Sequence, residues 1–407
     1  MIYAASIDTK GNKETPKSAP FMIDQTPPEG SITINDDDPY TNTTGVTLNL
    51  SATDATGISG YRITENTGGY QVAIDPISPF IADIEWDLYA GDGTKTVAVQ
   101  YCDVSGNWSA NYTDDILLDT TPPATTALLS GTEGDNGWYV SNVIVTLTAD
   151  DPSPGSGVAA IYYALDDPED VQTYLAPFTI STDGIHTVYY CAVDNAGNKE
   201  AVQTMEIKID QTPPVFGDCP AGGPFLLNSG LQSVGPISVE DLISGLDAVA
   251  SELSGSVDTS SVGPKDVTFT AVDNAGNSDT KDCTYSVVYD FGGFLPPVSL
   301  DGRSLFKLGS TIPVKFQLFD AAGNPVSTAV ATIKVAKISD GVAGSEVEGV
   351  STSAATTGNL FRYDLIGQLY IFNLATKPLP APADGTWRIT VYLNDGTSQS
   401  IDIGIKK

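Results

Sequence analysis

Three stretches of the chain alternate apolar with polar residues and then stop on the same phrase. Val97, Val99 and Tyr101 run into Asp103-Val-Ser-Gly-Asn107; Val188, Tyr190 and Ala192 into Asp194-Asn-Ala-Gly-Asn198; Val267, Phe269 and Ala271 into Asp273-Asn-Ala-Gly-Asn277. A period of two predicts strands that lay one face on a core. The Asp can accept amide hydrogens of the turn, and the Gly can take the positive φ that closes it. The turn recurs near the start as Asp8-Thr-Lys-Gly-Asn12. One short strand after three of these turns comes Asp24-Gln-Thr-Pro-Pro28, Asp119-Thr-Thr-Pro-Pro123 or Asp210-Gln-Thr-Pro-Pro214. Neither proline can donate to a ladder, so each pair ends a sheet and stiffens the exit.

The turn Asp residues fall at 8, 103, 194 and 273, at intervals of 95, 91 and 79. Solenoid repeats run to roughly 20–50 residues, whereas an immunoglobulin-like sandwich needs about 100. The expected fold is therefore all-β, tandem immunoglobulin-like β-sandwiches in a row, with domains at 29–123, 124–214 and 215–290 and a terminal β-sandwich domain at 291–407. Residues 1–28 match 187–214, so the chain is expected to open inside a repeat, as the C-terminal remnant of a truncated sandwich with any signal peptide upstream. In the terminal segment Ile312, Val314, Phe316 and Leu318 alternate. Trp387, Ile389, Val391 and Leu393 meet Ile401, Ile403 and Ile405 across Asn394-Asp-Gly396, a hairpin signal. The Gly-, Ser- and Thr-rich stretch 341–358 reads as a long loop, and 238–253 as helix-like.

Composition narrows the function. Nineteen Lys and Arg against 51 Asp and Glu give a net charge of −32, which repels nucleic acid and anionic membrane surfaces. The expected partners are other surface proteins, glycans or copies of the chain itself, with no nucleic acid. No apolar run is long enough to span a bilayer. Cys219 and Cys283 bracket the third domain. A bond between them would close a loop of 64 residues, constrain the unfolded chain by ~4 kcal/mol on the chain-entropy model, and imply an oxidising compartment. Cys102 and Cys191 fall out of phase with the apolar set, on the outer face, as shielded free thiols or, alternatively, links between chains.

Residues 124–214 resemble the immunoglobulin-like repeat called chitobiase/β-hexosaminidase C-terminal-like. The likeness rests on Asn136-Gly-Trp-Tyr139, Ser156-Gly-Val158, Ile161-Tyr-Tyr-Ala-Leu-Asp166 and Gly184-Ile-His-Thr-Val-Tyr-Tyr190. Residues 29–123 are similar to a sister type, with Thr53-Asp-Ala-Thr-Gly-Ile58. Cys219-Pro220, Ala271-Val-Asp-Asn-Ala-Gly-Asn277 and Cys283 resemble a hyalin-type (HYR) repeat, a resemblance that implies pairing of the two cysteines. Segment 291–407 looks like the terminal β-domain of secreted multi-repeat proteins, on Lys307-Leu-Gly-Ser-Thr-Ile-Pro-Val-Lys-Phe316 and Gly385-Thr-Trp-Arg-Ile-Thr-Val-Tyr-Leu393. These resemblances imply the fold and a surface setting, not an activity.

Catalysis has little to stand on. His186 is the single histidine, at the start of a core strand where a structural role is expected. Neighbouring acids such as Asp150 and Asp151 lie side by side in a loop, not across a cleft as a glycosidase dyad requires. The chemical candidate is calcium at the domain joints, with Asp24, Asp103, Asp119, Asp194, Asp210 and Asp273 as ligands. Against it stands the preferred reading that these residues only cap turns, since no EF-hand spacing is present. Sequons at Asn42, Asn49, Asn107 and Asn111 are no more than a chain this rich in Ser and Thr produces by chance. The sequence is read as a non-catalytic extracellular or cell-surface stalk, adhesin-like in kind. The alternatives are an accessory, glycan-binding region of a larger secreted polysaccharide-degrading enzyme and a self-assembling filament subunit that uses strand complementation.

Overall fold

In a computed structural model the described residues are 2–19, 23–65, 68–71, 82–298 and 304–407. The regular structure is almost wholly strand, and the tandem sandwiches are immunoglobulin-like. Two compact units form, one of residues 1–133 and 141–209 and one of residues 134–140 and 210–407.

The first unit opens with a two-stranded ladder, Ile2–Ala4 against Lys17–Ala19, around the Asp8 turn. Residues 2–18 are exposed, Tyr3 at 67% and Ile7 at 62%, as befits a hairpin that meets no second sheet among the described residues. A sandwich follows. Glu29–Ile34, Gly45–Thr53 and Asp83–Asp87 form one sheet; Tyr40–Thr41, Tyr112–Leu118, Gly93–Asp103, Ile58–Glu65 and Gly68–Gln71 form the other, in that order. The alternating set does what its period predicts: Val97, Val99 and Tyr101 are fully buried between the sheets with Ile34, Leu48 and Ile63. The Tyr101 hydroxyl donates to Ser31 O at 2.6 Å, so the core's largest ring leaves no polar atom unmet. In the next sandwich Ala124–Ser130, Val143–Asp150 and Phe178–Ile180 face a sheet that contains Gln203–Ile209, Gly184–Asp194, Val158–Leu165 and Gln172–Thr173.

In the second unit, Phe225–Leu226, Ser278–Val288 and Gly263–Val272 pair in one sheet, beside the short ladders Val215–Phe216 with Val239–Glu240 and Gln232–Val234 with Gly255–Val257. Cys219 and Cys283 are joined. The last sandwich sets Asp290–Leu295, Thr311–Phe319, Leu369–Ala375 and Arg362–Asp364 against a sheet built on Ala331–Ser339, Gly385–Leu393 and Ser398–Lys406. The expected hairpin forms, with Trp387 opposite Ile403 and Ile389 opposite Ile401. Its loop also ties back, Asp395 accepting from the Tyr289 amide at 2.9 Å.

Two expectations change. Residues 238–253 hold no helix: after Val239–Glu240, Asp241 and Asp247 take the amides of Ile243, Gly245, Val249 and Ala250 and hold the chain in turns. The apolar spacing was helical, but Asp offers the backbone a rival partner. Within 341–358, Val342–Ala343 and Val347–Glu348 pair with the neighbouring strand Ala331–Ser339, so the stretch is not wholly loop. Cys102 and Cys191 are both free and shielded, as expected, Cys102 half-buried and Cys191 buried on the outer face.

Candidate metal centres

Each linker Asp comes to rest beside a turn Asp, and a third carboxylate joins them. The groups are Asp24 with Asp54 and Asp103, Asp119 with Asp151 and Asp194, and Asp210 with Asp241 and Asp273. In each, one carboxylate oxygen per residue lies within 4.8 Å of the other two.

The same local construction produces all three. The turn Asp accepts the amide of the closing Asn through Oδ1, at 2.7 Å for Asp103, 2.7 Å for Asp194 and 2.8 Å for Asp273. Its Oδ2 accepts one hydrogen of the same Asn side chain, and that side-chain nitrogen also reaches the main-chain oxygen of the linker Asp. These clasps are Asn107 to Asp24 O at 3.1 Å, Asn198 to Asp119 O at 2.8 Å and Asn277 to Asp210 O at 3.0 Å. The asparagine therefore fixes linker to turn, and in Asn107 this work occupies the amide of one sequon. The linker carboxylate is aimed by its own Thr, the amide of residue i+2 donating to Oδ1 in Asp24, Asp119 and Asp210.

The third carboxylate comes from the bend that precedes the next strand. Gly57, Gly157 and Gly245 take φ of +94°, +85° and +79° there, conformations natural only to glycine. Their carbonyls accept the amides of Val104, Asn195 and Asn274, the residues just after the turn Asp, at 3.0, 2.9 and 2.8 Å. This latch brings Asp54, Asp151 and Asp241 to the cluster. Sequence reading missed them because their distance to the latch glycine varies (three, six and four residues); the common signal is an Asp shortly before Thr-Gly or Ser-Gly.

The electrostatics are one-sided. Asp103, Asp119, Asp194, Asp210 and Asp273 are buried, and among the described residues no Lys or Arg pairs with any of the nine acids. Asp24 is held below the usual carboxylate range by hydrogen bonds from the Thr26 hydroxyl and amide and from Thr56. Asp151 is pushed up, first by burial and then by the charges of Asp119 and Asp194. Its Oδ2 accepts the Gly157 amide at 2.6 Å, but its Oδ1 is buried with no hydrogen-bond partner. A buried unpaired oxygen is costly, and beside two more carboxylates it is costlier. The donors are all hard oxygens, with neither His nor Cys, a set that suits calcium or magnesium rather than zinc or copper.

The turn is not sufficient. Asp8 makes the same bonds to Asn12, and Asp320, a fifth copy in Asp320-Ala-Ala-Gly-Asn324, accepts from Asn324 and Asn228, yet among the described residues neither belongs to a group of three acids. His186 lies elsewhere: Nδ1 faces Asp166 Oδ2 at 2.9 Å and Nε2 faces Thr182 O at 2.9 Å.

No protein-family profile matches the chain, and neither does any curated relative. Among solved structures it is similar to the fibronectin(III)-like modules of Clostridium thermocellum CbhA, at 13% identity over 44% of this chain and 93% of that one, TM-score 0.26. A tetra-tandem repeat in the extending region of a large adhesion protein matches at 14% identity over 92% and 98%, TM-score 0.26. Protocadherin Gamma B2 extracellular cadherin domains 3–6 match at 15% over 93% and 99%, TM-score 0.26.

Proposed function

We propose that this chain is a non-catalytic, extracellular or cell-surface stalk of adhesin-like kind, and that calcium bound by its aspartate triads stiffens the joints between its sandwiches. The observation that carries the reading is the buried Asp151 Oδ1, an oxygen without a hydrogen-bond partner on a residue grouped with two further carboxylates, in a construction made three times. A divalent cation would supply the missing partner and neutralise the like charges. Turn capping alone accounts for the Asp–Asn bonds but not for a third carboxylate brought in by the glycine latch. A cation held by linker, turn and next-strand bend together would tie three segments into one joint. The finer kinships, a chitobiase C-terminal-like second repeat and an HYR-like third, belong to the same proposal, as does an oxidising compartment for Cys219 and Cys283.

Calorimetric titration of the intact protein with calcium, paired with small-angle scattering in calcium and in chelator, tests it. The expected result is saturable binding, affinities of about 10⁻⁴–10⁻³ M as in extracellular modules, and greater flexibility in chelator at unchanged β content. No binding heat and identical scattering in both conditions would leave turn capping as the only role.

A further inference from the structure

The first two sandwiches treat one face differently. By strand register Arg62 stands opposite Gln100 in the first and Tyr162 opposite Cys191 in the second, and the bridges Cys102 to Trp108 and Val193 to Lys199 place Trp108 and Lys199 at the same point. In the first sandwich this outer face is filled: the Arg62 guanidinium lies 4.6 Å over the Trp108 ring and its Nε donates to Gln100. In the second, Tyr, Cys and Lys replace Arg, Gln and Trp, and the face is hollow. A pocket of about 290 Å³ opens there, lined mainly by Tyr162, Tyr189, Cys191, Val171, Val202 and Lys199.

Its walls are chemically uneven. Cys191 is only 5% exposed and Ala164 beside it 1%, so the apolar floor lies deep, while Val171 and Val202 at the rim are 59% and 57% exposed. Lys199 is the one charged side chain of the lining, and among the described residues it pairs with no carboxylate. The acids of the adjacent turn, Asp167, Glu169 and Asp170, do not line the pocket. A sugar would find few polar partners on such walls. A flat apolar ring can lie against the two tyrosines and the thiol, and an acidic substituent can reach the lysine.

We propose that this pocket binds an aromatic ring that carries one anionic group, with Tyr162, Tyr189 and Cys191 receiving the ring and Lys199 the charge. The site is independent of the aspartate triads. Equilibrium fluorescence titration of the intact protein with anilinonaphthalene sulfonate, against the uncharged phenylnaphthylamine, reads both halves of the claim. The sulfonate should bind at one site, about tenfold tighter than the neutral probe, and Tyr189→Ala should weaken both about tenfold. Lys199→Gln should erase the advantage of the sulfonate and spare the neutral probe. The double substitution Tyr162→Arg with Lys199→Trp, which copies the Arg–Trp stack of the filled face, should abolish binding while circular dichroism stays unchanged. Bound sulfonate should also slow alkylation of Cys191 several-fold. Equal affinity for the two probes, or binding that survives the filled-face variant, would overturn the proposal.

Discussion

The side chain of Asn198 spans two segments, with Nδ2 2.8 Å from Asp119 O in the linker and 2.8 Å from Asp194 Oδ2 in the turn. Asn198→Ala leaves both oxygens without this donor. The expected cost is about 1–3 kcal/mol in urea unfolding, because a buried acceptor stripped of its partner retains its desolvation penalty. Asn198→Asp is expected to cost more in chelator than in calcium, since it adds a fourth carboxylate to the cluster.

Asp151→Asn has opposite effects in the two conditions. Burial and the neighbouring carboxylates raise the Asp151 pKa above its unfolded value, so the native state binds the proton more tightly and loses stability as pH rises through the folded pKa. In chelator at neutral pH the neutral amide removes that cost, and the variant should melt higher than the parent. In calcium it should melt lower, because a charged ligand is gone and the linkage gain, about 2.7 kcal/mol at a hundredfold excess over Kd, shrinks. Thermal melts in both buffers check this; the same sign in both would refute the site.

Reduction of Cys219–Cys283, or Cys219→Ser with Cys283→Ser, frees a 64-residue loop in the unfolded chain. A loss of ~4 kcal/mol in denaturant unfolding is expected, confined to the transition that reports the third sandwich. Peptide mapping without reductant should recover these two cysteines linked, and Cys102 and Cys191 as thiols.

The lone histidine gives a pH signal. Burial favours the neutral ring, yet the hydrogen bond to Asp166, the Thr182 carbonyl and the Asp166 charge together outweigh it and raise the His186 pKa above 6.5. Both ring nitrogens face acceptors, an arrangement that favours the imidazolium. A raised folded-state pKa means that this stabilisation is complete below about pH 6.5 and disappears as pH climbs through the higher folded value. His186→Gln should flatten the dependence of Tm on pH above about 6.5, and the wild-type ring should titrate late by NMR.

The covalent order of residues was enough to determine the strands and the turns between them. Side chains alternate across a strand whatever its neighbours, so Val97, Val99 and Tyr101 declared their face before any partner was known. The hairpin through Asn394-Asp-Gly396 and the Asp–Asn turns are equally local, because every bond that defines them closes within a few residues. The acid groups are not local. Asp119 and Asp194 could be paired from the repeat, but Asp151 reaches them through a latch between Gly157 and Asn195, and loops of three, six and four residues hide the common plan. The helical spacing in 238–253 misled because side-chain capping by Asp241 and Asp247 competes with helix bonds, a contest decided by what the neighbouring strands leave free. The hollow around Cys191 depended wholly on tertiary structure: alternation put the thiol on the outer face, and only the neighbouring strand with Tyr162 and the segment with Val202 turned that face into a pocket.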